Sequence, residues 1–427
     1  MSISSLSTEQ KEAIYAIEDG DNTFVTGGAG TGKSYLLQYL KRNYTGHGLH
    51  VTASTGVAAV NIGGQTLHSW SGIGLGNLPI EQLVKNLFSA KFSRIRKKIK
   101  LARMLAIDEI SMISPKIFDL INELLKAVRQ NEKPFGGLQI ILFGDFLQLP
   151  PVYKDNESSP QYQFCFHSNA WKELNLRTFI LKTAFRQQDE KFVKLLNNIR
   201  FGKIDEEDID ILRSRYNKAD NSQHIKPTIL VSHNSQVDNI NKSELNKIPH
   251  PSKIFKSHFF GDKNKFDFLR KNCIAGESLE LKVGSQVMML KNTYQKDSII
   301  NGSLGIIRDF SIKRGYPIVE FQNGKVFTIA PEEWLLEKFD QDKNRMITEA
   351  GMEQIPLALA YAITIHKSQG MTLDKIRCDL GRVFSEGQIY VALSRVKTLD
   401  GLYIDDLNSS KIKANNQVTE FYKQITQ

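Results

Sequence analysis

The apolar residues of this chain come in short runs, and most runs stop abruptly at glycine or at polar residues. Asn22 to Thr26 reads as a buried strand of this kind, followed by "GGAGTGKS" and then by helical periodicity from Ser34 to Arg42. Met104 to Ile107 is a second such strand, ending in Asp108 and Glu109, and Gln139 to Phe143 a third, ending in Gly144 and Asp145. Strands that alternate with helical patterns build a parallel sheet, with the ligand at the strand C-termini. Leu83, Leu87, Phe92, Ile95 and Ile99 recur at helical spacing through a basic window that holds Lys91, Arg94, Arg96, Lys97, Lys98, Lys100 and Arg103.

The second half has a different texture. Asn217 to Lys226 is polar and reads as a linker before a strand from Thr228 to Ser232. Leu357 to Ile365 reads as one buried strand, with the polar cluster "HKSQG" at its end. Asn323-Gly324 between β-rich runs predicts a hairpin with a type I′ turn, and "INGSLGIIRDF" predicts a turn followed by a strand. The stretch Phe255 to Cys273 is basic and aromatic and is placed only as an excursion from the second half.

Composition narrows the function classes. A chain of 427 residues has room for two or three domains, and 41% hydrophobic residues can supply their cores. A net charge of +10 favours a polyanionic partner, although a basic surface kept only for solubility has the same signature. Cys165, Cys273 and Cys378 are widely spaced and form no CxxC pair, which fits reduced, structural thiols in an intracellular compartment. The N-terminal residues have neither the basic nor the apolar region of a secretory signal, and no apolar run is long enough to cross a bilayer. His47 and His50 lie close together without a third ligand nearby and read as a surface turn.

Candidate chemistry begins at Gly27 to Ser34, which fits G-x-x-x-x-G-K-[ST] between a strand and a helix. Glycines let backbone N–H groups turn inward around phosphate oxygens, and the helix N-terminus adds partial positive charge. Lys33 is expected to reach the β- and γ-phosphates, with Gly28, Gly30, Thr31, Gly32 and Ser34 completing the cradle and Ser34 holding Mg²⁺. Asp108 at its strand end suits the same Mg²⁺, and Glu109 suits a general base toward an attacking water. Gln148, between two leucines, reads either as a satisfied buried amide or as a group that senses the γ-phosphate.

These segments, with "VTASTGVAAVNIGGQTLHSWSGIG" between them, resemble the petite-integration-frequency helicases, superfamily-one enzymes related to the RecD-like helicases. The resemblance runs from about Leu6 to about Gly401. It implies an α/β fold with two RecA-like P-loop domains of parallel sheets flanked by helices, a small wedge insertion and an SH3-like β-barrel insertion. The implied boundaries are 1–72 and 101–180 for the first RecA-like domain, 73–100 for the wedge, 181–286 and 350–427 for the second, and 287–349 for the barrel.

The resemblance also assigns roles. Gln10 matches an adenine-reading glutamine, and Gly370, beside Gln369, a position near the nucleotide. Thr55, Thr66 and His68 match segments that line a single-stranded DNA path, as do Thr364, His366, Lys367 and Ser368 from the second lobe. Trp70 is a candidate for stacking on a base and equally a candidate for the core. Arg186 and Arg395 match arginines that a second lobe supplies to the γ-phosphate across a cleft. The implied activity is ATP- and Mg²⁺-dependent 5′-to-3′ unwinding of forked or 5′-tailed duplex DNA by a monomeric motor, with G-quadruplex DNA left open as a substrate. It would serve repair, replication, recombination or telomere maintenance in the bacterial cytoplasm, or in the nucleus or mitochondrion of a eukaryote, with no membrane partner. The alternatives are a DNA-stimulated translocase with little unwinding, a RecD-like subunit of a nuclease complex, and a P-loop phosphotransferase for a small molecule.

Overall fold

The computed structural model describes residues 2–151, 164–218, 225–340, 345–381 and 386–426. They form two compact units: Met1–Thr183 with Leu335–Glu349 and Glu420–Gln427, and Ala184–Trp334 with Ala350–Thr419.

The first unit is built on six parallel strands: β1 (Thr23–Gly27), β2 (Leu49–Ala53), β3 (Gln65–Thr66), β4 (Met104–Asp108), β5 (Gln139–Phe143) and β6 (Arg177–Leu181). Their order across the sheet is β3-β2-β4-β5-β1-β6. Every residue of β1 and β4 is buried, as a strand covered on both faces requires. The alternation along β1 divides the two cores. Val25 packs with α1 (Thr8–Glu18) and α2 (Lys33–Tyr44), whereas Phe24 meets Phe146 and Trp171 on the other face. Helix α1 starts at a capping box, with the Ser7 hydroxyl accepting from the Gln10 N–H while the Gln10 amide oxygen accepts from the Ser7 N–H.

Short helices α3 (Gly56–Asn61) and α4 (Leu67–Ser71) follow β2 and β3. The basic window forms two helices, α5 (Ile80–Phe88) and α6 (Ser93–Leu101), which bury Leu83, Leu87 and Ile99 and pack against α7 (Pro115–Arg129). Helix α8 (Asn169–Glu173) carries Trp171.

The second unit holds a four-stranded parallel sheet and a five-stranded antiparallel sheet. Its elements begin with helices α9 (Glu190–Phe201) and α10 (Glu206–Arg213), strand β7 (Thr228–Val231) and helix α11 (Asn234–Asn246). The basic, aromatic stretch becomes β8 (Ser252–Lys256), β9 (His258–Gly261) and α12 (Phe266–Asn272), with β8 pairing to β10 (Ser278–Lys282). Next come β11 (Gln286–Met289), β12 (Leu304–Phe310), β13 (Pro317–Phe321), β14 (Val326–Thr328), β15 (Glu332–Asp340) and β16 (Arg345–Gln354). The chain closes with β17 (Leu357–Leu359), β18 (Ala362–Thr364), β19 (Ile376–Asp379), α13 (Gln388–Leu393), β20 (Leu402–Asp406) and α14 (Asn416–Thr426). The parallel sheet runs β18-β7-β19-β20 and the antiparallel one β14-β13-β12-β11-β17.

Several expectations change. The apolar run 357–365 is two strands in two sheets, not one: β17 pairs with β11, and β18 with β7. The break at Ala360–Tyr361 is held by Gln286, whose side chain donates to the Ala360 carbonyl at 2.9 Å while its backbone N–H donates to the Tyr361 hydroxyl at 3.0 Å. The Asn323-Gly324 hairpin is present, but its turn is not type I′. Only Gly324 is left-handed, with φ +78°, and the Phe321 N–H bonds the Lys325 carbonyl at 2.9 Å around a three-residue loop. The β-rich segment 287–349 divides, because 335–349 belong with the first unit, where Lys41 pairs with Glu337 at 2.9 Å. The end of α14 likewise joins the first unit rather than the second. Of the polar linker 217–226, residues 219–224 lie outside the described residues. Among the described residues no helix is long and apolar enough to cross a membrane.

Candidate nucleotide site and nucleic-acid surface

Strands β4, β5 and β1 are neighbours, so the segments leaving their C-terminal ends are brought to one edge of the first sheet. Those segments are Asp108–Glu109, Gly144–Gln148 and the glycine loop. The loop is closely fitted. A Cβ at Gly27 would sit 2.5 Å from the Leu181 carbonyl oxygen, and Gly32, at φ +89°, caps α2 in a conformation other residues rarely adopt. Thr31 donates to the Gly28 carbonyl at 2.9 Å, and the Lys33 ammonium donates to the Gly27 and Gly28 carbonyls at 2.7 and 2.9 Å. Gln10 is buried against the loop and donates to the Gly32 carbonyl at 3.2 Å. It therefore has more contact with the phosphate loop than an ordinary helix-face glutamine.

Asp108 is buried, and burial pushes its carboxyl up to about 6, against the opposing pull of the Glu109 N–H and the Lys33 charge. A carboxylate in such a place is stabilised by a cation. The exposed hydroxyl of Ser34, on the first turn of α2, is a second hard oxygen donor, and together they suit Mg²⁺, which fills its remaining positions with water and phosphate oxygens. Glu109 is held left-handed at φ +53°, a costly conformation for a non-glycine residue that tends to be kept where function requires it. Gln148 is buried on the neighbouring strand's loop, with its amide donating to Asp145 at 3.3 Å.

Further along the same C-terminal edge, beyond β2 and β3, Thr55 and Thr66 cap α3 and α4, each accepting a backbone N–H at 3.2 Å. His68 lies in the first turn of α4, and burial lowers its imidazole. Trp70 is fully buried, 0% exposed, between His50 and Lys98, so it belongs to the core and has no face to offer a base.

In the second unit, Arg186 and Arg395 come together beside Gly370. Arg186 donates to the Thr372 hydroxyl and the Ser394 carbonyl, both at 2.9 Å, and to the Gly370 carbonyl at 3.5 Å. Arg395 is buried and donates to the Val391 carbonyl and the Ser394 hydroxyl, both at 2.8 Å. Burial and the adjacent Arg395 charge pull the Arg186 guanidinium downward, but an arginine stays charged at neutral pH. These partners of the two guanidiniums are carbonyls and hydroxyls rather than carboxylates.

The "HKSQG" cluster divides. His366 and Lys367 are exposed. Thr364 and Ser368 are buried and build the turn that presents them: the Thr364 hydroxyl accepts the Lys367 N–H at 3.1 Å, and the Ser368 hydroxyl donates to the Ile365 carbonyl at 2.8 Å. Their side chains face inward, so neither offers a nucleic acid the direct contact that the resemblance implies. Asp145, Thr26 and Tyr422 form a buried group behind Gln148 that the motifs did not single out, and a tyrosine on an amphipathic C-terminal helix carries no local signal of it.

A sequence model of the PIF1-like helicase family matches residues 5–210, and one of the DNA helicase Pif1 2B domain matches residues 266–310. The ATP-dependent DNA helicase PIF1 of Danio rerio is 38% identical over 421 residues, which cover 98% of this chain and 64% of the relative. The chain thus spans just under two thirds of that relative's length. The crystal structure of Bacteroides sp Pif1 in complex with ADP-AlF4 has a TM-score of 0.87 at 32% identity, covering 99% of this chain and 97% of the other. That of Pif1 helicase from Candida albicans has a TM-score of 0.73 at 37% identity, with full coverage of both chains.

Proposed function

Because the chain belongs to the PIF1-like helicase family, we propose that it is an ATP-dependent DNA helicase that moves 5′-to-3′ on single-stranded DNA and separates the duplex ahead of it. The observation that supports this most directly is the convergence of the phosphate loop, the Asp108–Glu109 pair and Gln148 at the ends of three adjacent parallel strands.

The backbone of Gly28 to Gly32 and the Lys33 ammonium bind the β- and γ-phosphates, and Gln10 borders the adenine. Ser34 and Asp108 would hold Mg²⁺, which would neutralise charge on the phosphate oxygens. Glu109 takes the proton of the attacking water, Gln148 contacts the γ-phosphate, and Arg186 and Arg395 are assigned to the charge that develops on it. DNA is read through its backbone by Thr55, Thr66 and His68 on the first unit and by His366 and Lys367 on the second. The net charge of +10 favours such a polyanion. The enzyme works as a monomer on forked or 5′-tailed duplexes, inside the cell, where the three buried free cysteines stay reduced.

The test is unwinding of duplexes carrying a 5′ or a 3′ single-stranded tail. With ATP and Mg²⁺, the 5′-tailed substrate is expected to separate and the 3′-tailed one to persist, and Lys33→Ala should abolish both turnover and unwinding. ATP hydrolysis indifferent to DNA would refute the proposal.

A further inference from the structure

The C-terminal helix α14 turns two aromatic side chains into the first unit. Phe421 stacks on Phe166 with ring centroids 4.3 Å apart and meets Phe146 edge-on at 5.6 Å. That contact is packing. The neighbouring residue does something more directional. The Tyr422 hydroxyl donates to Asp145 Oδ1 at 3.0 Å and lies 2.6 Å from the Thr26 hydroxyl. With its single proton directed at the carboxyl, Tyr422 accepts from Thr26. The same Asp145 oxygen accepts the Leu147 N–H at 3.2 Å, and the other carboxyl oxygen accepts the Gln148 side-chain amide at 3.3 Å. Asp145 is 0% exposed, and buried polar groups of this kind are costly unless every donor and acceptor is placed.

The sequence of bonds therefore runs from Thr26, the last residue before the glycine loop, through a tyrosine on the final helix, to the carboxyl that orients Gln148. A phenylalanine would fill the same space. What the phenylalanine would lack is the hydroxyl, which joins the Leu147 N–H in fixing which way the carboxyl, and with it the amide, faces.

We infer that Tyr422 is a positioning residue of the ATPase centre: through Asp145 it sets the orientation of the Gln148 amide, and through Thr26 it ties that orientation to the strand that ends in the phosphate loop. This rests on the assignment of Gln148 to the γ-phosphate made above. Tyr422 thereby supports the ATPase centre from a helix that carries none of its motifs.

The experiment compares Tyr422→Phe, Gln148→Ala and the double variant as full-length chains, measuring ATP turnover with saturating single-stranded DNA. Tyr422→Phe is expected to lower kcat per folded molecule about tenfold with KM for ATP nearly unchanged, while leaving the buried Asp145 carboxyl one donor short lowers the melting temperature by a few degrees. In the Gln148→Ala background the same substitution should add nothing, because its route of action is already gone. Thr26→Val should act in the same direction, by about threefold. Phe421→Ala is the structural control: it should lower thermal stability while kcat per folded molecule stays at the wild-type value. Wild-type kcat in Tyr422→Phe, or a full further loss in the Gln148→Ala background, overturns the inference. A wild-type chain with no DNA-stimulated turnover, or Gln148→Ala turning over normally, overturns the ATPase reading beneath it instead.

Discussion

Trp70 separates two accounts of the segment "TLHSW", and its replacement can decide between them. The indole is completely buried, with His50 at 5.8 Å between ring centroids and the Lys98 ammonium 5.4 Å from its centre. Truncating such a residue to alanine removes a large buried area and leaves a cavity, costing about 3–5 kcal/mol. For a unit of this size that is a drop on the order of 10 °C in its melting transition. Trp70→Phe should be much milder, about 1–2 kcal/mol. It gives up less area, and it also deletes an indole N–H that has no hydrogen-bond partner, so part of the loss is returned.

The rival account has the ring stacked on a base. Removing it would then weaken single-stranded DNA binding by about 1–3 kcal/mol, or roughly 5- to 150-fold, with little effect on folding. The assay pairs thermal melts with fluorescence anisotropy on a labelled oligonucleotide, at one fixed salt concentration because phosphate contacts make affinity steeply salt-dependent. Binding is measured well below the melting transition, so that only folded protein is titrated. Trp70→Leu is expected to melt early and bind nearly as wild type. If it melts as wild type and binds tenfold more weakly, the burial argument is refuted.

Glu109→Gln keeps the shape of a side chain whose backbone is fixed at φ +53° but removes its basicity; it should still bind ATP, with turnover reduced by about 10²-fold or more, and normal turnover would exclude Glu109 as the general base. Burial, reinforced by the Lys98 charge, lowers His50 to about 4, so the folded protein keeps it neutral while an unfolded chain protonates it below its ordinary pKa near 6.5. Stability should therefore be complete above about pH 6.5 and fall as pH drops toward 4, and His50→Leu should flatten that slope in a series of melts; an unchanged slope would show that other groups set it.

The strands that carry the nucleotide site were legible because they are buried on both faces, so composition and burial coincide: Gln139–Phe143 is the strand the apolar run predicts. The glycine loop was legible because backbone geometry restricts its residue types, as the crowding at Gly27 demonstrates. Legibility failed wherever a long-range partner decides the outcome. The run from Leu357 to Ile365 has no internal signal for its break, because the hydrogen bonds that divide it come from Gln286, about seventy residues earlier. Asn323-Gly324 carries the strongest short-range hairpin signal, yet the Asn323 side-chain amide donates to the Asp297 carbonyl at 3.0 Å and its Oδ1 accepts the Lys325 N–H at 3.2 Å, which favours the longer loop. Trp70 was ambiguous because burial and base stacking ask for the same residue. The Tyr422 hydroxyl lies furthest from any pattern: helical spacing predicts that its ring is buried, but nothing local says that an aspartate 277 positions away needs a donor there. Motifs thus locate the groups that touch phosphate, whereas the groups that orient them are chosen by the fold and become visible only in three dimensions.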